Sequence, residues 1–316
     1  MKNTSSLENA TGALEYRLTN DALFHIVMER SEPALRGLLA ALLGIQKNKI
    51  LTLYVQNPIH FGETIDDKEI ILDVDLLLNN NRIINIEVQV QPYSQWTNRV
   101  LFYRGNALTK NDPGKTFENL RGVTHIGILD HHLYEETEGF YSKYQLMNAA
   151  TGKVFSDMLK INVLDLKRIN MATEEDHASG LVYWAKLFKA TSWEQVKEIA
   201  TMDEAIMDAA ENMYRALSDD ELKSYLFRHK MYILDQGTKQ HESWKKGIAE
   251  GEAKGELRLL IRLICAKLRK KHSPEDIADL LEMDPAEVEK IISAAAPFAP
   301  DYDEEKVYQA LSGEEG

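Results

Sequence analysis

Residues 70–91 read IILDVDLLLNNNRIINIEVQVQ, and their reading decides the fold class. The first run, ending at Leu78, is dense in β-branched and aliphatic residues that suit a pleated, half-buried surface. Asn79, Asn80 and Asn81 are a turn signal, because Asn tolerates positive φ and hydrogen-bonds its own backbone. The second run alternates from Asn85 onward: Ile86, Val88 and Val90 take one face, and Glu87, Gln89 and Gln91 take the other. The expectation is a β-hairpin with Asp73 and Asp75 on one face of its first strand and Glu87 and Gln89 on one face of its second. Two readings of these acids stand. In one, they belong to the solvated face of a half-exposed antiparallel hairpin. In the other, the hairpin gathers them, and acidic oxygens converging beside apolar strands are what a hard divalent cation needs. Asp is disfavoured inside an apolar run. The polar positions of the second strand are nearly all Glu or Gln, without the Lys or Thr of a generic wet face. Both facts favour the second reading.

Further stretches fall in order around this hairpin. They are Thr19-Asn20-Asp21-Ala22-Leu23-Phe24, residues 38–44 with Ile50 following, Arg99-Val100-Leu101-Phe102-Tyr103, and His125-Ile126-Gly127-Ile128-Leu129-Asp130. Together with I-L-D-V, the short turn and I-N-I-E-x-Q, the set resembles the PD-(D/E)XK nuclease superfamily. Within it, the set resembles the Rpn-type recombination-promoting nuclease/putative transposase family, over about residues 17–170. The fold class implied is α/β: a restriction-endonuclease-like core, with a central mixed sheet flanked by helices, followed by an all-helical C-terminal region.

The resemblance implies a site and a chemistry. Asp73, Glu87 and Gln89 fill the D…E-x-Q positions, with Asp73 and Glu87 as ligands of Mg²⁺ and Mn²⁺ as the alternative ion. Asp75, two residues from Asp73, is a second candidate ligand. The activity implied is a Mg²⁺-dependent endodeoxyribonuclease that hydrolyses DNA phosphodiester bonds, linked to recombination or mobile DNA. The superfamily ordinarily has Lys where Gln89 stands; Gln carries no charge and does not titrate, so it orients water or a carboxylate but is no general base. A weak or inactive nuclease-fold protein acting as a binding and oligomerisation module is the alternative. Asp21 reads either as an accessory acid reaching the metal or as a helix-opening residue satisfied by exposed amides and the helix dipole. Arg99 and Tyr103, four apart, share a helix face; the resemblance reads them as a DNA or phosphate contact, with Arg99 alternatively an active-site contact, and the residues alone read as a surface arginine packed on a tyrosine.

Composition bounds the rest. The 316 residues are 44% hydrophobic, ample for a core and more than one minimal domain. No apolar stretch is long enough to span a membrane, and the first six residues lack the apolar region of a secretory signal. Cys265 is the single cysteine, which excludes an internal disulfide, fits a reducing cytoplasm and reads as a buried thiol. His131-His132 reads as a loop pair rather than as ligands. The net charge of -13 opposes polyanion binding and predicts weak, salt-sensitive DNA affinity. Part of that charge lies in Glu135-Glu136-Thr137-Glu138 and the last sixteen residues, while Arg262, Lys267, Arg269, Lys270 and Lys271 offer local basic surface.

The organisation expected runs as follows: 1–16, a flexible N-terminus; 17–170, the nuclease-like core; 171–236, a helical region; 237–272, a glycine/charge-repeat helix; 273–296, a helical hairpin; 297–316, an acidic tail. Helices are expected at 178–189, 192–201, 203–217 and 219–235 from apolar residues at helical spacing. Gly247, Gly251 and Gly255 lie near one helix face. That segment reads as a self-associating helix or as a weakly helical linker, since each glycine costs a helix about 1 kcal/mol. Ser273-Pro274 and Asp284-Pro285 each place an N-cap before a first-turn proline. The second of these helices offers Glu287, Glu289 and Lys290, a poor set for reading bases, so the hairpin is expected to pack or oligomerise.

Overall fold

The computed structural model describes residues 6–56, 73–109, 120–135 and 139–313. Residues 70–72 of the first expected strand and residues 136–138 of the acidic loop lie outside them. Helix α1 (Asp21–Arg30) starts where the Asn20 side chain accepts from the Leu23 amide at 2.9 Å. Helix α2 (Glu32–Leu43) starts where Ser31 Oγ accepts from the Ala34 amide at 3.2 Å, and it stops at Gly44, whose φ of 64° suits a residue without Cβ. Strands β1 (Leu53–Val55), β2 (Val74–Leu78) and β3 (Arg82–Gln89) form an antiparallel meander. The β2–β3 turn places Asn79 and Asn80 at φ 49° and 56°, as the three asparagines predict. Asn79 adds a lock: its Oδ1 accepts from the amides of Leu51 (2.8 Å) and Thr52 (3.2 Å), and its Nδ2 donates to Lys49 O at 2.9 Å.

Helix α3 (Trp96–Thr109) precedes β4 (Gly122–Leu129), followed by β5 (Tyr141–Met147) and β6 (Val154–Asp165). The sheet order is β1-β2-β3-β4-β6-β5. β3, β4 and β6 run parallel, and the outer pairings are antiparallel. β4 is buried along its whole length, as a central parallel strand with both faces covered must be.

The two faces of the sheet do different work. Val74, Leu76, Leu78, Ile84, Ile86, Ile126 and Ile128 lie in the core formed with α1, α2 and the helices that follow the sheet. The opposite face carries Asp75, Asn85, Glu87, Gln89 and His125, and α3 lies over it through Trp96 and Val100, packed with Leu129 and Val163.

After β6 the chain is helical. Helices α4 (Glu174–Ala178), α5 (Leu181–Lys189), α6 (Trp193–Ala200) and α7 (Glu204–Ser218) follow; α5, α6 and α7 lie near their expected places, and α4 is a short helix that the sequence does not lead one to expect. Ser192 caps α6 by accepting from the Gln195 amide. α7 packs on α1 and α2, and Gly37 makes the approach: a Cβ there would lie 2.2 Å from that of Ala205. Helix α8 (Asp220–Leu268) runs through the glycine-repeat segment. Helices α9 (Pro274–Leu281) and α10 (Pro285–Ala295) start at Ser273 and Asp284, and α11 (Glu304–Ser312) lies within the acidic C-terminal stretch.

The chain divides into two compact units, residues 1–229 and 230–316. The second has its own core of Ile261, Ile264, Cys265, Ile277, Val288, Ile291, Val307 and Tyr308. Arg269, read from sequence as basic surface, bonds Asp301 O (2.9 Å), Tyr302 O (2.8 Å) and Glu304 (3.0 Å), which ties α11 down and spends that charge internally. No helix among the described residues is long and apolar enough to cross a membrane.

Candidate active site

The hairpin register assembles the acids. Val74 pairs with Ile86 and Asp75 with Asn85, so one further step sets Asp73, just before β2, across from Glu87. Asn85 lies between the aspartates: its Nδ2 donates to Asp75 Oδ1 at 2.8 Å and to Asp73 Oδ2 at 3.2 Å. From the next strand, His125 Nδ1 meets Asn85 Oδ1 at 2.6 Å, and His125 Nε2 lies 3.6 Å from Glu87 Oε2. Asn85 and His125 are fully buried, and Glu87 is nearly so.

Two arginines of α3 face this group. Arg99 is ion-paired with Glu87 and hydrogen-bonds Gln89 Oε1 at 3.4 Å; it also lies 5.4 Å from the centre of the Tyr93 ring. Arg104 Nη1 is 3.5 Å from Asp75 Oδ1. Helix α3 comes this close because β4 has a gap: a Cβ on Gly127, the register partner of Glu87, would lie 2.6 Å from the Trp96 ring. Trp96 fills that gap and sits 5.5 Å from the His125 ring, roofing the buried end of the group.

Burial raises the pKa of Glu87, and the neighbouring Asp73 raises it further, against the pull of Arg99. Burial likewise raises Asp73; Asp75 adds to the shift while the Asn85 hydrogen bond opposes it. The two carboxyls form a coupled pair in which full ionisation is disfavoured. His125 goes the other way: burial, with Arg104 and Arg99 nearby, pushes it down to about 3, so it is neutral at physiological pH.

Among the described residues, no group of three or more His, Cys, Asp or Glu side chains is arranged to hold a metal ion. The chemistry of the donors nevertheless fits a hard divalent cation. Such an ion is commonly bound through one or two carboxylates, with waters completing its shell, and an opposing acid pair that resists full ionisation is what it would neutralise.

The remaining sequence candidates lie as follows. Gln89 is at the end of β3, where its Nε2 donates to Gln91 O at 2.9 Å. Asp21 opens α1: its Oδ1 accepts from the Ala22 amide at 2.9 Å and stands 3.7 Å from Nδ1 of the buried His229. Tyr103 is exposed and edge-on to Phe102, which is more exposed still. His132 bonds Asp165 at 2.8 Å, as a structural partner at a strand end. Cys265 is fully buried, and burial raises its thiol pKa.

Three members of the group were not singled out from sequence. Asn85 had a signal, since the alternation that selects Glu87 also selects the residue two before it. Arg104 lies five residues after Arg99, about 140° further round the helix, so helical spacing does not group the two. His125 had none, because only the β3–β4 pairing brings it to Asn85.

An acid-bearing hairpin, a parallel pair beyond it and a helix closing over the acids define a restriction-endonuclease-like α/β core followed by helices. The chain belongs to the PD-(D/E)XK nuclease family transposase group, whose family model matches residues 19–242, more than half of the chain. No curated protein and no solved structure matches it significantly.

Proposed function

We propose that this protein is a metal-dependent endodeoxyribonuclease that hydrolyses DNA phosphodiester bonds in recombination or mobile-element processing, working in the cytoplasm. The observation that carries the reading is the opposition of Asp73 and Glu87 across the β2–β3 register. These two carboxylates would hold the cation, Mg²⁺ in preference and Mn²⁺ as the alternative. Asp73 is favoured over Asp75, because the strand register puts Asp73 across from Glu87, whereas it pairs Asp75 with Asn85. When bound, the ion supplies a Lewis acid for the phosphodiester and acidifies water at neutral pH.

The chain's own groups do the rest. Gln89 cannot take a proton, so its part is orientation. Arg99 touches both Glu87 and Gln89 and supplies a permanent cation beside the position where the superfamily ordinarily has Lys. A guanidinium there suits a phosphate group, two of whose oxygens it can grip with two parallel hydrogen bonds.

The test is nicking of supercoiled plasmid at low salt with Mg²⁺, Mn²⁺ or chelator. Metal-dependent nicking by the wild type is expected, lost in Asp73→Ala and Glu87→Ala while their circular dichroism stays native. Equal nicking by wild type and Glu87→Ala would sink the site assignment.

A second reading is favoured by Gln89 itself and by the ion pair that already engages Glu87: a nuclease fold retained for binding and assembly. Its surface would be α8, where Trp244 and Ile248 are exposed among charged residues. A folded wild type that assembles through α8 and never nicks DNA under any ion would establish that reading.

A further inference from the structure

The Asn85 carboxamide has a defined orientation, and its neighbours enforce it. Its nitrogen faces two carboxylates, which accept and cannot donate when ionised, so both N–H groups point to Asp73 and Asp75. Its oxygen must then accept, and the group that meets it is His125 Nδ1 at 2.6 Å. In a neutral imidazole one nitrogen donates and the other accepts. Nδ1 therefore carries the proton, and Nε2 presents its lone pair toward Glu87 Oε2, 3.6 Å away. Nε2 has no hydrogen-bond partner and its residue is fully buried. One imidazole thus lies between both arms of the site: it is hydrogen-bonded to the aspartate arm through Asn85, and it approaches the glutamate arm to 3.6 Å without a hydrogen bond.

We infer that Asn85 and His125 form a positioning relay, in which the β4 histidine fixes the Asn85 amide so that its two N–H groups clamp Asp73 and Asp75 and leave Asp73 facing Glu87 for a shared divalent cation. The cation rests on the function proposed above; the relay itself does not. A fully buried Asn in a β-strand is otherwise hard to account for. Asn is depleted in strands, and burying an amide costs free energy unless its hydrogen bonds are made. Here the amide makes three, and two of them point at the candidate ligands. Partners that orient metal ligands cost about 10- to 100-fold in metal affinity when removed.

The test uses the full chain and Mn²⁺ as the probe, with binding read by electron paramagnetic resonance. Two readouts are taken without metal: thermal unfolding, and the Asn85 side-chain amide signal in nitrogen-edited NMR spectra. His125→Leu keeps the bulk and loses the donor. His125→Asn keeps an N–H donor near the Nδ1 position. The relay expects His125→Leu to shift the Asn85 amide signal and to weaken Mn²⁺ binding about 10- to 100-fold, with His125→Asn recovering most of both. Unchanged Mn²⁺ affinity in His125→Leu overturns it, as does a His125→Asn variant no better than Leu. Should His125→Leu not fold, Asn85→Asp carries the test, having the same shape without the two donors. The expected result is the same loss, and equal or tighter Mn²⁺ binding overturns the relay. If the wild type binds no Mn²⁺, the nuclease reading fails; the metal-free amide signal then decides the relay, which falls if His125→Leu leaves that signal in place.

Discussion

At the scale of single residues, the site is governed by a conflict between burial and charge. Glu87 ionises near 4.5 in an unfolded chain and is pushed up to about 7 by burial and by Asp73. Between those values the folded state keeps a proton that the unfolded state has lost, so stability falls as pH rises through this window. The expected outcome in chelator is that Glu87→Gln, which never ionises, gains on the wild type as pH rises. It should be more stable by about 1–3 kcal/mol near pH 8, with the gap closing near pH 4, since one pKa unit corresponds to about 1.4 kcal/mol. Thermal unfolding across that range checks it, and a gap that widens toward acid pH would contradict it. Sequence alternation placed Glu87 and Gln89 on one face, but not the depth of the burial that sets this pKa, because depth depends on α3.

At the scale of elements, α3 on the sheet decides the site. The helix supplies Arg99 and Arg104, and it sits close because Gly127 leaves room for Trp96. Gly127→Ala must move the indole, since the new methyl would lie 2.6 Å from it. Overpacking of this kind costs about 1–3 kcal/mol. Urea unfolding should show the loss, and plasmid nicking should fall as Arg99 shifts off Glu87; an unaltered midpoint would mean that α3 has slack. The hairpin turn yields a second expectation. Asn79→Ala puts a Cβ residue at φ 49° without the side-chain oxygen that takes two amides, or the amide that caps Lys49 O. Left-handed strain for a residue other than Gly, Asn or Asp costs about 1–2 kcal/mol, so the urea midpoint should drop by at least that much.

At the scale of the whole molecule, each of the two units has its own core, so stability is not one number. Ile264 is fully buried in the core of the second unit. Ile264→Ala is expected to cost that unit about 2–5 kcal/mol. Denaturation followed by circular dichroism should show two transitions, with only one displaced; a single displaced transition would mean that the units unfold together. The net charge of -13 acts at this scale too. It opposes DNA from a distance, while Arg99 and Arg104 act within the site, so DNA binding should weaken steeply between low and physiological salt.

The sequence by itself determined the hairpin, its turn, the face Asp73 shares with Asp75 on one strand and Glu87 with Gln89 on the other, the opening of α1 at Asp21, the helix starts at Ser192, Ser273 and Asp284, and the family. These are local or periodic facts, fixed by residues within one turn or one strand of each other. Strands β5 and β6 were not legible. β5 is an edge strand of mostly polar residues, YSKYQLM, and its place comes from pairing with β6 rather than from its own pattern. Only the tertiary structure decided which aspartate faces Glu87, that His125 reaches Asn85 from a strand forty residues on, and that Arg99 and Arg104 bear on the acids. Those contacts depend on strand register and on the packing of a helix over a glycine. Both are settled by long-range burial, which leaves no periodic mark along the chain.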